Sequence, residues 1–272
     1  MTALLRTEWL KMRKYNAFWW IMSLAALSYP GIIYISYRIY DSLTGNTTRY
    51  GQYAKMAIGN PFAFPETWHT LAFLCSLFIF IPAVVIIMLI CNEYTFKTHR
   101  QNVIDGWSRR QFITSKLLDV LIISGLITLL YAVVAFITGI NNQERLIQHT
   151  WDQAYYIGLF ALQTFAQLSV AFLLGFLIKR AFLALGVFLF YFIVFENIIV
   201  GIMEWKKIPG AAYLPLEISD RIIPRPGFMS KFDTESYNNA IAAIPKHVIL
   251  SIILTALIWF ICYRINSKRD LK

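Results

Sequence analysis

The sequence predicts an all-α membrane protein with six transmembrane helices preceded by an N-terminal amphipathic interfacial helix, and three observations carry that prediction. The chain of 272 residues is 58% hydrophobic and 16% aromatic but only 15% charged, far from the balance of a soluble domain. Six apolar runs punctuate it, each near the roughly 20 residues that cross about 30 Å of hydrocarbon. Basic residues gather in alternate connections between those runs, which is the signature of a topology fixed by charge.

Residues 1–16 form the first unit. Leu4, Leu5, Trp9 and Met12 fall on one side of a helix and Arg6, Lys11, Arg13 and Lys14 on the other, a pattern that lies along a membrane surface. Residues 17–272 form the second unit, with spans at about 17–37, 70–91, 117–139, 153–178, 181–203 and 247–263. Pro30 beside Gly31 interrupts the first span and Pro82 the second, so both are expected to kink. Lys179 and Arg180 alone separate the fourth and fifth, which forces a tight antiparallel hairpin. The connection 204–246 contains Pro209, Pro215, Pro224, Pro226 and Pro245. It is therefore expected to form several short pieces, with Ser236–Ile244 a short amphipathic helix entering the last span. Asn46-Thr47-Thr48 matches a glycosylation acceptor.

Orientation follows from the Lys and Arg count. With the N-terminus inside, segments 1–16, 92–116, 179–180 and 264–272 hold 15 of these residues in 52 positions, against 10 in 88 for the other three connections. Both termini, and segment 92–116, are expected on the cytoplasmic side. The net charge of +10 is explained by topology and anionic headgroups, so nucleic acid is not expected as a partner, while membrane lipid is.

Several chemistries find no footing in the residues. Cys75 and Cys91 lie on one helix about 24 Å apart, too far to bridge, and Cys262 sits in another apolar run. The histidines His69, His99, His149 and His247 are scattered, and no metal-ligand spacing occurs. No Gly-x-x-x-x-Gly-Lys-Ser/Thr phosphate loop, Ser/His/Asp set or HExxH sequence is present. Energy for transport against a gradient is thus expected from another subunit or from ions.

Polar residues inside apolar runs invite a functional reading, because they are costly there and usually face protein or water. Glu196 lies in Phe-Glu-Asn-Ile-Ile on the fifth span, about 24 Å along the helix from Arg180. With Asn197 it either lines the outer part of a translocation path or bonds a neighbouring helix. Gln163 and Gln167, one turn apart on the fourth span, continue into Ala171 and Gly175. That strip suits either a path or close helix packing.

The most informative stretch is Glu93–Lys116. It carries Lys97, Arg100, Arg109, Arg110 and Lys116 against Glu93 and Asp105. Gly106 is placed to end a helix over Thr95–Ile104, and Ser108 with Gln111 has capping-box spacing. A glutamate closing one span, Lys97-Thr98 four residues on, a Gly106-x-Ser108-Arg109 turn and Lys116 opening the next span resemble the first cytoplasmic loop of the type 2 ABC exporter permeases. Glu8-x-x-Lys11-x-Arg13 is similar to the connecting helix of the same family. Departures occur at Lys97, where members often have glycine, and at Gly106, where they often have proline. The resemblance implies a coupling helix within 92–116 that docks on an ATPase subunit through Glu93, Lys97, Thr98, Arg100, Gly106, Arg109 and Lys116, with Glu8, Lys11 and Arg13 on the interfacial helix. It further implies a multi-pass bacterial inner-membrane permease, an ATPase dimer holding ATP and Mg, and a second copy or related permease. Apolar walls suit a hydrophobic or amphipathic cargo such as a lipid, peptide or drug. The other classes open to the sequence are an ion-coupled carrier or channel, and an intramembrane enzyme.

Overall fold

Apolar runs fold into helices because hydrocarbon offers the backbone no other hydrogen-bond partner, and helices dominate the computed structural model. It describes residues 2–45, 51–104, 106–142, 149–208, 210–229 and 234–268. The Asn46–Thr48 acceptor, Asp105 and the side chains of Leu4 and Leu5 lie outside what is described.

Helix α1 (Thr2–Lys14) is joined through Tyr15 to α2 (Asn16–Thr44). α2 continues through Pro30 and beyond the expected end at 37, burying Phe18, Ala25, Tyr29 and Ile33 along one face. After the short α3 (Gly51–Ile58) come α4 (Glu66–Ser76) and α5 (Phe80–Thr95), two apolar helices bent by 48° at the break between them. The break falls at Leu77–Ile79, just ahead of Pro82. Pro82 sits in the first turn of α5, where its missing N–H costs nothing, while its ring forbids a helical carbonyl at Phe78.

Helix α6 (Thr98–Ile104) and α7 (Arg109–Asn141) follow. α8 (Tyr155–Ile178) is the hub, packing against α4, α5, α7, and later α9, α11 and α12. Gly175 lets α8 and α5 approach closely: a Cβ there would sit 2.6 Å from Ile90 Cγ2. Lys179, with a φ of 61°, turns the chain into α9 (Ala181–Phe190). A π-helical turn at Tyr191–Phe195 leads to α10 (Glu196–Trp205). A 3-10 turn at Ala211–Tyr213, α11 (Pro215–Asp220) and α12 (Thr234–Lys268) complete the fold. α12 runs unbroken through Pro245, so the separate Ser236–Ile244 helix expected from the sequence is instead its first three turns.

Among the described residues, five helices are long and apolar enough to cross a membrane, or six with α4 and α5 taken as one bent span. The core runs along α8. Tyr131 hydroxyl donates to the Trp68 carbonyl at 2.7 Å, and Trp68 Nε1 donates to the Thr150 carbonyl at 2.7 Å, so the polar tips of these two buried aromatic side chains are satisfied.

Candidate functional site

At the end of the bundle that carries α6, three helices bring their charges to one point. Glu8 of α1, Glu93 of α5, and Lys116 and Asp119 of α7 are 2%, 5%, 3% and 3% exposed. Lys116 Nζ lies 2.5 Å from Glu8 Oε2, 2.9 Å from Glu93 Oε1 and 3.3 Å from Asp119 Oδ2. Lys11 Nζ closes the ring, 3.1 Å from Glu8 Oε1 and 2.9 Å from Glu93 Oε1. Three carboxylates thus share two ammonium groups. Burial opposes ionisation of Glu8, but Lys116 and Lys11 outweigh it and hold the carboxyl below its ordinary range.

The cluster sits directly behind an exposed turn. Glu93 anchors it from within: the Thr98 hydroxyl donates to Glu93 Oε2, and His99 Nδ1 donates to the Glu93 carbonyl at 2.9 Å. Lys97, between α5 and α6, has a φ of 55°. That left-handed conformation favours glycine, the residue the family pattern has there, so the lysine occupies a backbone built for it. α6 then closes on Gly106, whose φ is 93°, while Trp107 N–H donates to the Asn102 carbonyl at 2.9 Å. This is the Schellman ending. A proline cannot take that φ, so at Gly106 the departure from the family pattern extends to the backbone. Ser108 caps α7 through a full capping box with Gln111. Phe96 and Ile104 are 71% and 82% exposed on this turn.

The docking residues expected from sequence therefore separate into two sets. Lys97 and Gly106 are exposed, and Thr98, Arg100 and Arg109 are half-buried. Glu93 and Lys116 do not lie on an exposed surface; their charges pair within the chain, because unpaired burial would cost several kcal/mol per ion. On α1, Arg13 is exposed and Lys11 half-buried, whereas Glu8 turns inward. Arg109 binds the far end of the chain: Nη1 donates to the Ser267 carbonyl at 3.0 Å, and its own carbonyl accepts from Asn266 Nδ2 at 2.7 Å. Asp119 was not singled out from the sequence. Its signal was available, as a carboxylate one turn after Lys116 at the mouth of an apolar run.

The four residues read as a translocation path are all engaged in hydrogen bonds within the chain. Gln163 and Gln167 donate to Asp220 Oδ1 of α11 at 2.9 and 2.6 Å. Glu196 Oε1 accepts from the Leu216 and Glu217 N–H groups at 2.8 and 2.7 Å, satisfying the first turn of α11. Asn197 is exposed and bonds back to the Phe192 and Ile193 carbonyls. His69 Nε2 donates to the Pro224 carbonyl at 2.8 Å. Together these contacts fasten α11 to α8 and α10, and the connection that follows it to α4. The surrounding protein pushes the Asp220 carboxyl up to about 7 against the two amide donors, although the residue is exposed to water where it lines a cavity. Among the described residues, no group of three or more His, Cys, Asp or Glu side chains is arranged to hold a metal ion.

Comparison with curated proteins finds no match. The profile of the ABC-2 family transporter proteins matches residues 4–195, which takes in α1, the ion cluster, the α6 turn and most of the bundle. A multi-pass helical chain with that match belongs to the ABC-2 transporter family, as a type 2 ABC permease.

Proposed function

We propose that this chain is the membrane subunit of an ATP-driven exporter, in which the α6 turn docks on a separate ATPase and the ion cluster passes the resulting movement to α1, α5 and α7. The observation that carries the reading is the juxtaposition of Phe96, Lys97 and Ile104, exposed on the turn, with Glu93 three residues behind Phe96 and held by two ammonium groups. A push on the turn cannot be absorbed locally, because Glu93 cannot leave Lys116 and Lys11 without stranding a buried charge. ATP and Mg belong to the partner, which closes on nucleotide and shifts two permease copies from inward- to outward-facing. The α6 end then faces the cytoplasm of a bacterial cell, and the cargo is hydrophobic or amphipathic.

The test is co-purification. Ile104→Asp, on the exposed turn, is expected to abolish recovery of an ATPase subunit with the tagged permease, while membrane insertion stays intact. Retention of the ATPase at wild-type yield overturns the docking assignment.

A further inference from the structure

A cavity of about 690 Å³ opens between α4, α11 and the first turns of α12. Phe73, Ile223 and Met229 give it an apolar wall, and Glu217, Asp220 and His247 a polar one. Arg221 also reaches it, but its guanidinium is taken: Nη2 donates to Glu204 and Nε to Glu217, both at 2.6 Å. Asp220 has no such neutralisation. Gln163 and Gln167 both donate to Oδ1, while among the described residues Oδ2 has no hydrogen-bond partner and no cation pairs with the carboxylate. Neutral amides orient a carboxylate without discharging it. Facing the same cavity, His247 is 4% exposed and its Nδ1 has no hydrogen-bond partner, a costly state for a buried polar atom.

We propose that this cavity binds a primary or secondary ammonium group carried on an apolar body, with Asp220 Oδ2 taking the charge and His247 Nδ1 accepting an N–H. An ammonium satisfies both groups at once, since it offers several donors and no acceptor, and its apolar remainder meets Phe73, Ile223 and Met229. An anion would confront Asp220 and Glu217. Arg225, exposed at the rim and without an ion pair among the described residues, is the group an anion would seek instead. The ammonium is supplied either by a free amine or by the ethanolamine headgroup of a lipid. The site stands apart from the ATPase reading, because it is a property of the permease alone.

The experiment titrates the full chain, in nanodiscs of phosphatidylcholine, with phenethylammonium, phenethyl alcohol and 3-phenylpropionate by calorimetry. The amine is expected to bind saturably and about tenfold tighter than the alcohol, the scale of one charge-assisted hydrogen bond. Asp220→Asn preserves an oxygen acceptor for both glutamines and is expected to erase that preference while leaving the alcohol unchanged. Ala243→Phe, which places a ring in the cavity from α12, is expected to weaken both ligands. Phosphatidylethanolamine that weakens amine binding in the wild type assigns the site to a headgroup, and its indifference assigns it to free amines. Equal affinity for amine and alcohol, a preference surviving Asp220→Asn, or tighter binding of the anion overturns the proposal. Loss of ATPase co-purification bears on none of these readings, so the two proposals fail separately.

Discussion

Lys116 brings its ammonium to the point where Glu8, Glu93 and Asp119 converge, and Lys11 is the other cation there. Removing one partner of a buried ion set leaves uncompensated charge, which costs about 3–5 kcal/mol. Lys116→Met is therefore expected to lower the thermal midpoint of the purified chain sharply, and adding Glu8→Gln and Glu93→Gln to recover part of the loss; full stability in the single variant would mean that the cluster contributes little. The two carboxylates that anchor opposite ends respond to pH with opposite sign. Glu8, held below its ordinary 4.5, contributes stability that is present above that value and lost as pH falls through its folded pKa. Asp220, raised from 3.8 to about 7, contributes stability that is full below 3.8 and lost as pH rises through 7. The midpoint against pH is expected to decline on both flanks, and Asp220→Asn to remove the decline through 7 while leaving the acid flank unchanged. Glu217 and Glu196 reinforce the rise of Asp220, and Arg221, Arg225 and His247 share its cavity; an unaltered alkaline flank in Asp220→Asn would mean that Asp220 does not carry it.

Helices were more legible than the contacts between them. The positions of Pro82 and of the Lys179-Arg180 hairpin follow from backbone chemistry, and the structure breaks before the one and turns at the other. Pro245 misled, because a proline removes one hydrogen bond without ending a helix whose neighbouring turns are held by packing. Glu196 was visible as a carboxylate in an apolar run, but its partners lie 20 and 21 residues on, in a connection with no periodicity to place it. That role makes a prediction at the scale of α11. Glu196→Ala leaves the Leu216 and Glu217 N–H groups without an acceptor, a loss comparable to that of an N-cap, about 1 kcal/mol. Maleimide labelling of Leu216→Cys, buried in the wild type, is expected to speed up in that background, whereas Glu196→Gln, which retains an acceptor oxygen, is expected to stay near the wild-type rate. Equal rates in the alanine and glutamine variants would mean that α11 is held by Asp220 and its glutamines alone.

Across the whole molecule, the charged segment at 93–116 was legible as a place of consequence, but its division of labour was not. Sequence spacing grouped Glu93 and Lys116 with Lys97 and Arg109, because charge in a connection reads as exposed; only the convergence of α1, α5 and α7 turns the first pair inward. The consequence is that docking and transmission reside in different residues and are separable. Glu8→Gln/Glu93→Gln/Lys116→Met leaves one cation, Lys11, and one carboxyl, Asp119, in the cluster and does not touch Phe96, Lys97 or Ile104, so the ATPase is expected to co-purify as before. What is expected to disappear is the response of the far end. Trp205, 82% exposed at the end of α10, can be replaced by cysteine and spin-labelled in both copies of the assembly, and the label-to-label distance read with and without ATP. In the parent background that distance is expected to change with nucleotide. In the triple variant it is expected to remain at its nucleotide-free value despite an intact complex, because the push on α6 no longer has a charged linkage to α1 and α7. A nucleotide-dependent change of the same size in both backgrounds would show that movement reaches the far end through apolar packing along α5 and α8, and would reduce the ion cluster to a fastening for α1.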